Sequence, residues 1–252
     1  MGWPTPHELT ADRGLRAADP GDGTITVLTY NTLEGRTTAD DVAALADETG
    51  ADVLVLNETS QLQAQQVATY LNADGEAFQV FAATAEEEGA AEEPTTALLV
   101  AGSMGEYVQT SGPATYHGTV RAEPASGVGP VLVGVHALAP VREQRELWLR
   151  DLNEIVAPCG DRGPDGLIMA GDFNATLDHA PMQDLGRCAD AAVEAGVGGI
   201  ATWPSRLPAL LGSTIDHVLV DAARYDVTAA LVAERGRSDH RGVVARLEPL
   251  EP

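Results

Sequence analysis

Polar and apolar positions alternate along this chain with two periods, and the places where the period changes mark the elements. "TITVLTYN" (24–31) has the two-residue period of a strand and ends in Asn31. "TADDVAALADETG" has helical spacing, with Thr38 or Asp40 as cap and Gly50 as stop. "ADVLVLNE" is a nearly continuous apolar run, which predicts a strand buried on both faces and ending at Asn57 and Glu58. "SQLQAQQVATYLNADG" predicts a second helix with apolar Leu62, Val67 and Leu71 and Gly75 as stop, and "AFQVFAA" a short strand. "TTALLVAG", "GEYVQT" and "ATYHGTVRAE" predict strands joined by short turns. "GPVLVGVHALAP" predicts a buried strand ending at His136, and "REQRELWLRDLNEIV" an amphipathic helix with Leu147, Leu149, Leu152 and Ile155 on its inner side.

"DGLIMAGDFN" is again a strand that stops at polar residues, Asp172 and Asn174. "APMQDLGRCADAAVEAG" predicts one or two short helices, and "GIATWPSRLPALLG" a loop punctuated by proline. "STIDHVLVD", "RYDVTAALVAE" and "GVVARLEP" are the last strands, with the polar loop "RGRSDHR" before the third. Interleaved strands and helices with several meanders imply two packed sheets with helices outside. The Pro-, Gly- and Asp-rich start reads as an extended arm over 1–23, followed by one domain over 24–252 with no linker and no internal repeat.

Composition changes the picture in three ways. At 252 residues and 44% hydrophobic content the chain can bury a full core without help from a metal. No apolar run is long enough to span a bilayer, and the start lacks a signal-peptide pattern. The 38 acids face 15 bases, all of them Arg, for a net charge of -23, and "TAEEEGAAEEP" predicts a solvated acidic loop over Glu86 to Glu93. A binder of duplex nucleic acid ordinarily offers a basic face, so this balance argues against one. Cys159 and Cys188 bracket "MAGDFNAT", and either a single disulfide or two unrelated buried thiols fits them.

The candidate chemistry is expected at the polar ends of apolar strands: Asn31, Glu58, His136, Asp172 with Asn174, Asp216, and Asp239 with His240. Any one of these has an ordinary reading as a turn cap, an Asx-turn or an ion pair. Their recurrence at one kind of position points to a site built on loops at a sheet edge. Hard oxygen ligands such as Glu58 and Asp239 suit Mg²⁺ or Mn²⁺, with Ca²⁺ as a third choice. With no Cys cluster, a structural zinc is not expected. His240 beside an acid supplies proton transfer, which a metal-assisted hydrolysis of phosphate esters needs.

The ordered set "TYN…NE…VH…GDFN…IDH…SDH" resembles the endonuclease/exonuclease/phosphatase superfamily, from Asn31 to Arg241. The resemblance implies the deoxyribonuclease-I-like fold, a four-layer α/β sandwich of two mostly antiparallel sheets with helices outside. It implies that Glu58 is the main metal acid, with Asn31 and Asp239 on the metal side. Asp172 then positions or activates the attacking water, and Asn174 holds that water and the phosphate. His240 contacts the scissile phosphate, Asp216 orients it, and His136 contacts the phosphate or protonates the leaving group. Two positions depart from the common pattern: Asn57 stands where Gln is frequent, and "IDH" replaces "IDY" or "IDW", which makes His217 structural.

"TYNTLEG", "GDFNATLDHAPM" and "TWP" are most similar to bacterial extracytoplasmic members linked to teicoplanin resistance and suspected of acting on lipid-linked phosphates. This implies a monomeric phosphatase or phosphodiesterase on small or lipid-linked phosphates, outside the cytoplasm, with Cys159 and Cys188 joined. Trp203 is expected at the substrate entrance or in a packing role, Arg121, Arg142 and Arg206 at a basic rim, and His7, His117 and His179 at the surface or behind the site. A nuclease of the same fold and a non-catalytic binding module are the competing readings.

Overall fold

A computed structural model describes residues 23–72, 77–83 and 95–250. The expected arm, apart from Gly23, lies outside the described residues, as do His7, the Gly75 stop and the acidic stretch from Glu86 to Glu93. One sheet runs β11 (Tyr225–Ala233), β12 (Gly242–Pro249), β1 (Ile25–Asn31), β2 (Val53–Thr59), β4 (Thr95–Ala101), β3 (Phe78–Ala82). The other runs β5 (Tyr107–Thr110), β6 (Val120–Pro124), β7 (Val131–His136), β8 (Leu167–Asp172), β10 (Asp216–Asp221), β9 (Cys188–Asp190). The helices are α1 (Ala39–Thr49), α2 (Gln61–Asn72), α3 (Arg145–Val156) and α4 (Ala191–Glu194).

The two sheets share one plan. An outer hairpin is followed by a parallel pair, then by two more antiparallel strands. The parallel pairs are β1 with β2 and β7 with β8, and each is bridged by a helix, α1 and α3, because a parallel connection needs a crossover. Strand patterning explains the layers. Val53 and Val55 of β2 point into the core between the sheets, while Leu54 and Leu56 point outward under α1 and α2. Leu152 and Ile155 of α3 cover the second sheet with Trp148. The result is the α/β sandwich with helices outside.

Local chemistry sets the boundaries. Thr38, not Asp40, caps α1 by accepting from Asp41 N at 3.2 Å, and Gly50 ends it in the left-handed conformation at φ 63°. Leu62 is 49% exposed, so it is not on the inner side of α2, which Ala64, Val67, Ala68 and Leu71 form. Only the second half of "ATYHGTVRAE" is strand, and β9 lies inside a segment expected to be helical. Cys159 and Cys188 form a disulfide, tying β9 to the turn after α3.

This plan brings the polar strand ends to one edge. Asn31 lies opposite Asn57, His136 opposite Asp172, and Asp172 opposite Asp216. Asp216 opens β10 and Asp239 and His240 precede β12, so these three stand at strand starts, not ends. Running antiparallel to β8 and β1, those starts still reach the same edge. Gly171 makes the approach of β7 and β8 feasible just before Asp172. Its φ is 148°, and a Cβ there would stand 2.0 Å from Val135 O.

Candidate active site

Asn31, at the end of β1, is fully buried and spans the acids. Its Nδ2 donates to Glu58 Oε1 at 3.0 Å and to Asp172 Oδ2 at 3.1 Å, while its Oδ1 accepts from Leu33 N at 3.0 Å. The side chain therefore presents N–H to the acids and holds them together across the two sheets. Glu58 Oε2 also accepts from Glu34 N at 3.2 Å. Asn57 ties the layers beneath. It donates to Val135 O at 2.8 Å and accepts from Asp172 N at 2.8 Å. Asp172 Oδ1 accepts from Asn174 N at 2.8 Å, and Asn174 Nδ2 donates to Ala137 O at 2.9 Å.

Two histidines flank Asp172. His240 Nε2 lies 3.8 Å and His136 Nε2 3.9 Å from its Oδ2, beyond direct hydrogen bonding. His240 Nδ1 is 2.9 Å from Asp216 Oδ2. Burial opposes charge on the His240 ring, but Asp216, then Asp172 and Asp239, outweigh it and raise the ring to about 10. His136 goes the other way. Burial, then His117 and His240, lower it to about 3, so near neutral pH it is a neutral imidazole and not an imidazolium donor. Burial and the nearby Asp216 push Asp172 up to about 7, against His240 and the donors Asn174 N and Asn31. The buried cluster thus divides its protons: a charged His240, a neutral His136 and an Asp172 poised to take one.

These groups open on a cavity of about 620 Å³ lined by Glu58, His136, Asp172, Asn174, Asp239 and His240, with Trp203 also at its wall. His117 and His179, expected outside the site, also line it. His117 stacks on His136 with ring centroids 4.6 Å apart. Arg121, Arg142 and Arg206 are not among the described lining residues, which include no arginine at all. Arg121 instead pairs with Glu123 at 2.7 Å. Asn31 and Asp216 stand behind the lining residues.

Backbone conformation marks the same place. Among the described residues, the non-glycine residues with positive φ are Leu33, Glu34, Glu58 and Asn174, at 53°, 50°, 51° and 47°. All four line the cavity. Such conformations cost of order 1–3 kcal/mol each and collect where function over-determines the backbone. The chain holds Glu34 N against Glu58 and turns Asn174 N onto Asp172 by this means.

The donor set fits a hard divalent cation. Asp239 Oδ2 accepts from the Trp203 indole N–H at 3.0 Å, but its Oδ1 is buried and finds no hydrogen-bond partner among the described residues. Glu58 offers both oxygens with lone pairs to spare, and the two acids line one cavity. Asp172, Asp216 and His240 also place ligand-type atoms within 4.8 Å of one another. In that trio His240 Nδ1 is engaged by Asp216 Oδ2, while Asp216 Oδ1 is buried with no hydrogen-bond partner among the described residues.

Sequence reasoning overlooked the supports. Arg241 is buried beside His240 and binds Ala201 O, Ser205 O and Leu207 O. His217 is structural as expected, but its partners were not foreseen: Nδ1 lies 2.6 Å from Asp190 Oδ2 and Nε2 2.9 Å from Ala175 O. The one signal for Arg241 was its place directly after "SDH".

A family model described as the endonuclease/exonuclease/phosphatase family matches residues 28–240. Solved structures share the fold over most of both chains. An endonuclease/exonuclease/phosphatase family protein from Bacteroides thetaiotaomicron has TM-score 0.69 at 14% identity, covering 91% of this chain and 98% of its own. A humanized D. rerio TDP2 has TM-score 0.66 at 17% identity, covering 89% and 99%. A Bacteroides thetaiotaomicron mannosyl-6-phosphatase has TM-score 0.64 at 13% identity, covering 90% and 100%. No curated protein matches the sequence.

Proposed function

Since the chain belongs to the endonuclease/exonuclease/phosphatase family, we propose that it is a divalent-metal-dependent hydrolase of phosphate esters, acting on small or lipid-linked phosphates. One observation carries the reading. A buried Asp172 stands 3.9 Å from His136 and 3.8 Å from His240, in the same cavity as Asp239, one of whose oxygens is buried with no hydrogen-bond partner among the described residues.

Glu58 and Asp239 would hold the cation, Mg²⁺ or Mn²⁺, with Asn31 keeping Glu58 and Asp172 in place. When bound, the cation supplies charge neutralisation at the phosphoryl oxygens. The chain's own residues do the rest. Asp172 accepts a proton from the attacking water, and Asn174 fixes the Asp172 carboxylate through its backbone N–H. The His240 imidazolium, held by Asp216, donates to a phosphoryl oxygen as negative charge builds there. The neutral His136 aligns the phosphate by hydrogen bonding. Over the whole reaction water adds across the ester P–O bond: its oxygen joins phosphorus, one proton goes to the departing alcohol, and the other stays on the phosphate side.

The test is a panel of phosphate esters with Mg²⁺, Mn²⁺ and Ca²⁺, each against a chelator control. Phosphate release that needs the cation and is lost in Asp172→Asn is the expected result. Cation binding without release from any monoester or diester would overturn the hydrolase reading.

A further inference from the structure

The stretch from Thr202 to Ser213 is a surface arm with a closed neck. Thr202 N and Trp203 N each donate to Ser213 O at 3.0 Å, and Ser213 N donates back to Trp203 O at 2.7 Å. Its root is held by the segment from Ser238 to Arg241. Arg241 Nη1 binds Ala201 O at 3.0 Å, and Nη2 binds Ser205 O at 2.5 Å and Leu207 O at 2.8 Å. Ser205 N donates to Asp239 O at 2.6 Å and Ser205 Oγ to Ser238 O at 2.9 Å. Within the arm, Leu211 N donates to Pro208 O at 2.8 Å.

An arm held this firmly nevertheless turns leucines outward. Leu210 is 86% exposed, Leu211 70% and Leu207 38%. A lone exposed leucine needs no explanation, but three within the five residues from 207 to 211 of one tethered loop concentrate exposed apolar surface, as binding surfaces do. The neck joins this patch to the catalytic cavity. Trp203, 38% exposed, and Ser213 both line the cavity. Leu211 is two residues from Ser213, so their Cα atoms are at most about 7.6 Å apart. The cavity wall is itself partly apolar, with Trp203 and Ile215 beside Leu33, Ala139 and Pro140 in the lining.

What lies on the patch must match it chemically and reach the cavity. A polyanion gains nothing from leucines and meets a net charge of -23. A hydrocarbon gains by leaving water, and one covalently joined to the phosphate is delivered to the neck whenever the phosphate binds. We propose that the arm is a subsite for a hydrocarbon group carried by the substrate phosphate, with Trp203 at its inner end and Leu207, Leu210 and Leu211 outside. This rests on the phosphate-ester reading above and narrows it to amphiphilic phosphates. Because the tail sits away from phosphorus, it adds binding that is equal in the ground and transition states. Chain length therefore lowers KM and leaves kcat unchanged.

The experiment uses the whole protein with Mg²⁺ and a series of monomeric n-alkyl phosphonates, from methyl to decyl, as non-hydrolysable probes in calorimetry. Affinity rises about twofold to fourfold per methylene in the parent, the range expected for partial to full burial of CH₂ groups. In the Leu210→Ser/Leu211→Ser variant the rise flattens, while methylphosphonate binding and thermal stability stay as in the parent. No dependence on chain length, or the same dependence in the variant, overturns the subsite. So does a flat series combined with sedimentation on phosphatidylcholine vesicles that the variant loses, which would make the arm a membrane contact. Turnover of the matching alkyl phosphates separates the two readings. Chain-length-dependent binding with no turnover keeps the subsite and removes the hydrolase, whereas turnover without such dependence does the reverse.

Discussion

At the scale of single residues, the site is a set of side chains each given one task by its partners. Asp239 has one oxygen on the Trp203 indole and the other buried with no hydrogen-bond partner among the described residues. Such an atom costs free energy until a cation or donor meets it. Glu58→Gln and Asp239→Asn keep shape and remove charge, so each should weaken Mg²⁺ or Mn²⁺ binding at least tenfold by calorimetry while circular dichroism stays native. Unchanged affinity in both folded variants would remove these acids from the cation site. His217 shows the other kind of task. Ala175 O can only accept, so Nε2 must carry a proton, and Nδ1 faces Asp190 at 2.6 Å. Burial disfavours charge on this ring, but Asp190 and then Ala175 O overcome it and raise its pKa. His217→Asn leaves Asp190 buried without its partner and should cost about 3 kcal/mol. The sign with pH follows. A histidine raised above its unfolded value near 6.5 contributes stability in full below about pH 6.5 and loses it as pH rises through the folded value. Urea unfolding should therefore show a gap between parent and His217→Asn that is wider at pH 6 than at pH 9, and a gap that widens with pH would refute the imidazolium assignment.

At the scale of elements, the carboxyl ends of the parallel strands β1, β2, β7 and β8 supply Asn31, Glu58, His136 and Asp172. That much was legible, because a strand buried on both faces reads as an apolar run and its end as a sudden change to polar residues. Asp216, Asp239 and His240 were legible as chemistry but not as positions, since a one-dimensional pattern does not reveal that an antiparallel strand starts where its neighbour ends. Strand β9 was hidden because three residues, Cys188–Asp190, are too few to show a period. Arg241 and Asn57 were hidden because their partners, Ala201, Ser205 and Leu207 for one and Val135 and Asp172 for the other, are far away in sequence. The buried side of α2 was not legible from its large apolar residues alone, because Ala64 and Ala68 share it with Val67 and Leu71 while Leu62 is exposed. Gly171 shows how an element positions the chemistry. With φ 148° and Val135 O only 2.0 Å from where a Cβ would stand, Gly171→Ala must push β8 from β7 next to Asp172. Activity should fall by more than a hundredfold and stability by several kcal/mol; a variant with native stability and turnover would contradict the close-approach argument.

At the scale of the whole molecule, charge would decide among the substrates that the proposed catalytic groups could serve. The chain carries -23, and among the described residues of the cavity wall there is no arginine to counter it. Duplex DNA brings one negative charge per roughly 1.7 Å of axis, and proteins that bind it normally gain affinity as salt is lowered, through release of counterions from phosphate. Here the long-range term has the opposite sign. Like charges repel most at low ionic strength, where the Debye length is about 30 Å at 0.01 M, and least at about 8 Å under physiological salt. A monoester with one or two charges meets that field weakly and is then held by short-range contacts inside the cavity, which screening affects little. Cleavage of plasmid DNA, where it occurs at all, should therefore speed up as salt rises from 10 to 150 mM (both about, set by those Debye lengths), while kcat/KM for a short alkyl phosphate changes by less than about threefold. The measurement is initial rates on both substrates across that range at fixed Mg²⁺. DNA cleavage that is fastest at the lowest salt, with steep loss as salt is added, would mean that arginines elsewhere on the surface form a phosphate track, and it would favour a nuclease over the phosphate-ester hydrolase proposed here.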